Sequence, residues 1–197
     1  MTCITRRIAL AATVLGLMVG AAGKSKADLV TNGGFETGDF TGWSLSGDSY
    51  PWTYIVGSSF ALPNGGKYEA QLGTNDSLGF LSQTLTTTPG QSYTLDDWMR
   101  TGNGGEEFQT YWNGTMIFDQ TDVPKQLWTE YTFTVTATGS STQLMFGYEN
   151  NENWFHFDNV SVTQVFAVPE PSTLVSVGIG GLMCLGYAWR RRKRTTA

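Results

Sequence analysis

From residue 28 onward, apolar side chains recur at every second position in short bursts, separated by breaks rich in Gly, Asn, Thr and Pro. A period of two is the signature of a half-buried β-strand, because successive side chains leave a strand on opposite faces. Ser92 to Arg100 places Tyr93, Leu95 and Met99 on one face and sends Asp96, Trp98 and Arg100 to the other. In the stretch from Trp128 to Thr136, Tyr131, Phe133 and Val135 alternate with three threonines, and from Gln143 to Tyr148 the inward set is Leu144, Phe146 and Tyr148. Shorter strands are predicted at Asp28–Val30, Trp43–Leu45, Lys67–Leu72 and Phe80–Leu85, with residues 46–66 loop-rich. Glu107–Trp112 and Thr115–Gln120 flank Asn113-Gly114, the dipeptide that tolerates the two positive φ angles of a tight hairpin turn. The last strand, Trp154 to Thr163, breaks its own alternation, since Phe157, Val160 and Val162 cannot share a face. A β-bulge at Asp158-Asn159 restores them to one side. Many short strands with turn signals every ten or so residues predict an all-β sandwich.

The two ends follow other rules. Arg6-Arg7, an apolar stretch from Ile8 to Ala22 and small residues up to Ala27 predict a signal peptide over residues 1–27. Residues 174–189 are uncharged and apolar, and Arg190, Arg191, Arg192, Lys193 and Arg194 follow at once. A helix of 16 to 18 such residues is about 24–27 Å long, enough to cross a thin hydrocarbon core. The predicted transmembrane helix is 173–189. The basic cluster at 190–194 acts as a stop-transfer signal, because Lys and Arg beside a span stay cytoplasmic. The domain between, residues 28–166, is then outside the cytoplasm.

Charge sharpens this division. Nine of the twelve Lys and Arg residues lie in the two ends. The central domain keeps Lys67, Arg100 and Lys125 against sixteen carboxylates. Such a surface repels phosphate backbones, so nucleic acid is excluded as a partner. Both cysteines, Cys3 and Cys184, fall in the ends, which leaves the exported domain without a disulfide or a thiol nucleophile.

The order Pro169-Glu170-Pro171, apolar span, Arg-rich end resembles the C-terminal sorting signal of PEP-CTERM proteins. That resemblance, over residues 167–197, implies export through the secretion machinery, a temporary membrane anchor, and processing by exosortase in the cell envelope of a Gram-negative-type bacterium. Within the domain, Asn32-Gly33-Gly34-Phe35-Glu36 with Gly42-Trp43 resembles the opening of β-sandwich carbohydrate-binding modules of the family 4, 9 and 22 type. Phe157-Asp158-Asn159-Val160-Ser161-Val162 resembles their closing strand. This implies a galactose-binding-like jelly roll and binding of extracellular polysaccharide. It also implies a structural Ca2+ between Glu36 and Asp158, helped by a carbonyl near Lys67. Asp97 departs from the pattern by standing where such strands carry an apolar residue, and on a core face it needs a partner.

Enzyme signatures are absent: there is one histidine, His156, and no Gly-x-Ser-x-Gly, His-Glu-x-x-His or P-loop motif. The adjacent carboxylates Asp96-Asp97 and Glu106-Glu107 point to opposite faces of a strand and do not form a catalytic pair. A non-catalytic module is expected. Sugar binding uses aromatic rings that stack on pyranose faces, with polar neighbours that read hydroxyls. The candidates are Trp98 with Asp96 and Arg100, Tyr111 on the following strand, and Trp52 and Trp154 on loops or edges. If the strands of Trp98 and Tyr111 pair, these groups converge on one surface. The competing expectation is a structural protein of the envelope or biofilm matrix that uses the sandwich as a scaffold.

Overall fold

The computed structural model describes residues 27–166 except 50, 64 and 152, together with 178, 180–185 and 187. The ten strands are β1 (Ser44–Gly47), β2 (Tyr54–Gly57), β3 (Tyr68–Leu72), β4 (Gly79–Thr86), β5 (Ser92–Thr101), β6 (Gly105–Trp112), β7 (Thr115–Val123), β8 (Gln126–Thr136), β9 (Ser141–Glu149) and β10 (Phe155–Gln164). They form two five-stranded sheets of order β1-β4-β9-β6-β7 and β2-β3-β10-β5-β8, paired antiparallel throughout. The signal peptide, Pro169, Glu170, Pro171 and the basic cluster Arg190–Arg194 lie outside the described residues. So does most of the 173–189 span: its described residues 178, 180–185 and 187 are helical and exposed. Among the described residues, no helix is long and apolar enough to cross a membrane.

The alternating faces meet as the sequence predicts. Leu144, Phe146 and Tyr148 of β9 and Phe108 of β6 face Phe155, Phe157 and Val162 of β10, all buried. The contact is aromatic at its centre: Phe146 and Phe157 pack edge-on with centroids 4.8 Å apart, and Phe108 lies 5.6 Å from Phe157. Edge-to-face pairs let the positive rim of one ring meet the negative face of the next. Truncating either partner to Ala costs about 3–5 kcal/mol. The opening loop adds its own anchor, because Phe35 enters the core beside Trp43 and Phe157.

Local chemistry explains the irregular points. Asn113 and Gly114 both take positive φ, 50° and 77°, and turn β6 into β7. The ladder between β10 and β5 slips between Asp158 and Ser161, with Asn159 at φ 59°, so the expected bulge is present and Phe157, Val160 and Val162 are all buried. One expectation is corrected: Asp28 makes only an isolated bridge to Thr163 rather than a strand. Residues 46–66 are loop-rich as expected, and β2 forms among them as an edge strand on β3.

Both ends of the domain lie at one pole. Leu29 N–H donates to the Val162 carbonyl at 2.9 Å, and Val162 N–H donates to Asp28 Oδ1 at 2.8 Å. The chain thus enters the sandwich beside the place where β10 leaves it.

Candidate functional site

The outer face of the first sheet is built by register. Phe80, Gly147 and Gln109 are directly opposed on β4, β9 and β6, and the row extends to Ser46 on β1 and Asp119 on β7. The next row is Ser44, Ser82, Met145, Tyr111 and Met116. Gly147 is the low point. A Cβ there would stand 2.9 Å from Gln109 Oε1 and 3.1 Å from the Phe80 ring, so the missing side chain is what lets those two groups lie over the sheet.

Along β6 the polar groups are held in order. Tyr111 Oη donates to Gln109 Oε1 at 2.6 Å, and Gln109 Nε2 donates to Glu107 Oε1. This fixes the amide orientation and leaves Glu107 Oε2 as an acceptor. Burial, then the carboxylates of Asp119 and Glu107, push the Tyr111 hydroxyl above its ordinary pKa, so it remains a donor at neutral pH. Beside these rows runs a groove of about 620 Å³ lined by Ser44, Ser46, Ser82, Thr84 and Gln143. The outer face thus carries the Phe80 and Tyr111 rings, the Glu107 carboxylate and a run of hydroxyls over a buried Gln109 amide that is already hydrogen-bonded on both sides.

Trp98, Asp96 and Arg100 share the outer face of the second sheet, as expected from β5. Tyr111 does not join them. β5 pairs with β8 and β10, whereas β6 pairs with β7 and β9, so consecutive strands cross between sheets and the two aromatics lie on opposite sides of the molecule. The groups around Trp98 are engaged within the protein. The Arg100 guanidinium lies 3.4 Å from the centroid of Phe60, and Asp96 Oδ1 accepts from Thr132 Oγ1 at 2.8 Å. Phe60 also packs edge-on against His156, whose Nδ1 is 2.7 Å from Glu69 Oε1. The lone histidine is therefore held by a buried carboxylate. Trp52 and Trp154 occupy neither face. They meet at the pole opposite the chain ends, where Trp154 Nε1 donates to the Trp52 carbonyl at 2.9 Å.

Glu36 and Asp158 are brought together by the opening loop. Gly34 lies between them, close to Asp158 Oδ1 and to the Glu36 side chain. Glu36 Oε1 accepts from the N–H groups of Lys67 and Tyr68 at 2.8 and 3.1 Å, which places it by the residue expected to lend a carbonyl. Burial pushes the Asp158 carboxyl up to about 7, against the pull of the Asn159 N–H and with the repulsion of Glu36 and Glu69. Two carboxylates thus lie close together here, and among the described residues no three Asp, Glu, His or Cys side chains cluster to hold a metal ion.

The sequence reading missed the row centred on Gly147, because a glycine in a strand signals nothing until its neighbours are known. Asp97 was the one residue it flagged as misplaced. Asp97 is fully buried on the core face, and among the described residues neither carboxylate oxygen has a hydrogen-bond partner.

Residues 167–193 match the PEP-CTERM protein-sorting motif. No curated protein matches the chain by sequence. Among solved structures the domain is similar to TmCBM61 in complex with β-1,4-galactotriose (17% identity, TM-score 0.56, 71% of this chain and 99% of that one). It is also similar to the CBM22-1 xylan-binding domain of Paenibacillus barcinonensis Xyn10C (18%, 0.52, 75% and 100%). A third likeness is to a sugar-binding protein of Bacteroides thetaiotaomicron VPI-5482, so described provisionally (10%, 0.52, 71% and 100%). The chain carries the sorting motif, and its domain has the fold of a carbohydrate-binding module.

Proposed function

We propose that this is an exported protein, sorted through its C-terminal motif, whose sandwich binds extracellular polysaccharide without cleaving it. The observation that carries the reading is the outer face of the first sheet, where Phe80, Gln109 and Tyr111 surround the dent at Gly147 beside a hydroxyl-lined groove. Adjacent carboxylates are split between faces, Asp96 outward and Asp97 into the core, which supports a non-catalytic role. A structural Ca2+ held by Glu36 and Asp158 belongs to the same reading, tying the opening loop to β10. The sorting motif supports passage through the inner membrane, handling by exosortase and a final place at the cell surface or in the matrix.

Retention of the protein on immobilised galactan and xylan tests the binding. Tyr111→Ala is expected to weaken retention of the preferred polymer at least tenfold, about 1.4 kcal/mol. Trp98→Ala, on the opposite face, is expected to be retained like wild type. Loss with Trp98→Ala alone would move the site to the second sheet. No retention of wild type on any extracellular polysaccharide would favour the scaffold role.

A further inference from the structure

The pole opposite the chain ends holds a second concave surface. Turns that are distant in sequence meet there: residues 102–104 between β5 and β6, the end of β7, and Asn150, Asn151, Asn153 and Trp154 between β9 and β10. One pocket of about 310 Å³ is lined by Asn103, Glu106, Asp122, Asn150 and Asn153. A smaller one of about 100 Å³ lies between Trp52 and Trp154 and shares Asn150 and Asn153 with the first. The two are therefore one surface, aromatic at one side and polar at the other.

Its polar groups are positioned but not spent. Asn150 is buried at 2% exposure and donates through Nδ2 to the Gly104 carbonyl at 3.2 Å. Asn103 Nδ2 donates to Asn153 Oδ1 at 2.8 Å, and Glu106 Oε2 accepts from Asn151 N–H at 3.1 Å. Among the described residues this leaves Asn150 Oδ1, Asn153 Nδ2, Glu106 Oε1 and the Asp122 carboxylate without partners. Trp52 is 42% exposed, yet the Trp154 indole N–H fixes its backbone, and Tyr54 packs edge-on against Trp154. An exposed indole on an anchored backbone, beside free amides and carboxylates, fits a neutral ring that has an apolar face and several hydroxyls. A strongly acidic domain excludes an anionic ligand at this spot.

We propose that this pole is a second saccharide subsite, distinct from the sheet face, which takes the terminal one or two sugar units of a chain, stacked on Trp52 and hydrogen-bonded by Asn150, Asn153 and Asp122. It rests on the reading of the domain as a saccharide-binding module. A pocket at the small end of the ligand-site range holds a chain end rather than a long segment. Its location agrees: β10 runs from this pole to the opposite one, about 33 Å at 3.3 Å per residue, so the subsite lies at the far end of β10 from Gln164, where that strand ends.

The test titrates the full chain with β-1,4-galactotriose and xylotriose, following tryptophan fluorescence, and compares retention on galactan and xylan. At least one trisaccharide is expected to bind wild type, with affinity reduced tenfold or more in Trp52→Ala and in Asn153→Ala. Circular dichroism of the variants is expected to match wild type, since both side chains lie at the surface. Tyr111→Ala is expected to weaken polymer retention instead. If a trisaccharide binds wild type, Trp52→Ala and Asn153→Ala alike, the subsite is overturned while the sheet-face reading stands. If calcium alone gives the fluorescence change and Asp122→Asn abolishes it, the pocket is a cation site and the proposal fails. Retention of polymers without binding of either trisaccharide also overturns it. Failure of every polymer and trisaccharide removes the saccharide reading itself.

Discussion

Asp97 offers the sharpest test of the physical account. Its carboxyl sits on the core face of β5, opposite Tyr131 on β8, fully buried and with both oxygens unpartnered among the described residues. Burial first, and the neighbouring Asp96 second, raise its pKa well above the ordinary carboxylate value of 3.8. Folding therefore increases its affinity for a proton. Between pH 3.8 and the raised folded value the native state binds more protons than the unfolded chain, so this group makes stability fall as pH rises through that window. Below pH 3.8 both states are protonated and the pH-dependent part vanishes. Asp97→Asn keeps the shape and removes the titration; it is expected to flatten the loss of melting temperature between pH 4 and pH 8. Asp97→Val also removes the unsatisfied oxygens, whose burial costs about 1–3 kcal/mol. A gain near 2 kcal/mol raises the melting temperature by about 6–10 °C for a domain of this size. Thermal melts of wild type and both variants at pH 4, 6 and 8 decide the matter. Should both variants melt several degrees lower at every pH, Asp97 makes a stabilising interaction and the argument from burial is wrong.

Three further outcomes are expected. If Glu36 and Asp158 share a calcium ion, calcium at a hundredfold excess over its dissociation constant raises stability by about 2.7 kcal/mol, and a melting temperature indifferent to chelator removes the ion. Intact-mass measurement of the surface form from a host with an exosortase should show cleavage near Pro169-Glu170-Pro171; a species that retains residues 174–197 argues against processing. Phe157→Ala, which empties the aromatic centre, should destabilise the domain by about 3–5 kcal/mol in denaturant titration, whereas a loss below 1 kcal/mol would mean the core does not depend on that cross-sheet contact.

The sandwich was legible because alternation is a local property. β5, β9 and the β6–β7 hairpin could be drawn from spacing alone, and the bulge at Asp158-Asn159 followed from the need to bury Phe157, Val160 and Val162 together. Partner choice was not local. β5 and β6 are consecutive, yet three residues between them carry the chain from one sheet to the other, so Trp98 and Tyr111 diverge although each points outward as expected. β2 escaped notice because Tyr54–Gly57 is an edge strand with little apolar burial and no alternation to betray it. The row proposed to bind polysaccharide was hidden for a related reason: Phe80, Gly147 and Gln109 are far apart in sequence and become one row only through register. The polar pocket at the far pole gathers residues from several turns, and none of those turns carries a motif of its own.

The placement of β10 has a mechanical consequence. It is the middle strand of its sheet, flanked by β3 and β5, and its last residue leads directly into the C-terminal segment. A pull between a tethered tail and a ligand held elsewhere on the domain acts along β10. Such a load must slide the strand against two neighbours at once, shearing its hydrogen bonds together rather than peeling them one by one as at a sheet edge. The Asp28 and Leu29 contacts to Val162 add a clasp at the point where force enters. Resistance to forced unfolding is set by the unfolding rate and not by equilibrium stability. A domain loaded along a middle strand resists pulling even when its thermal stability is ordinary.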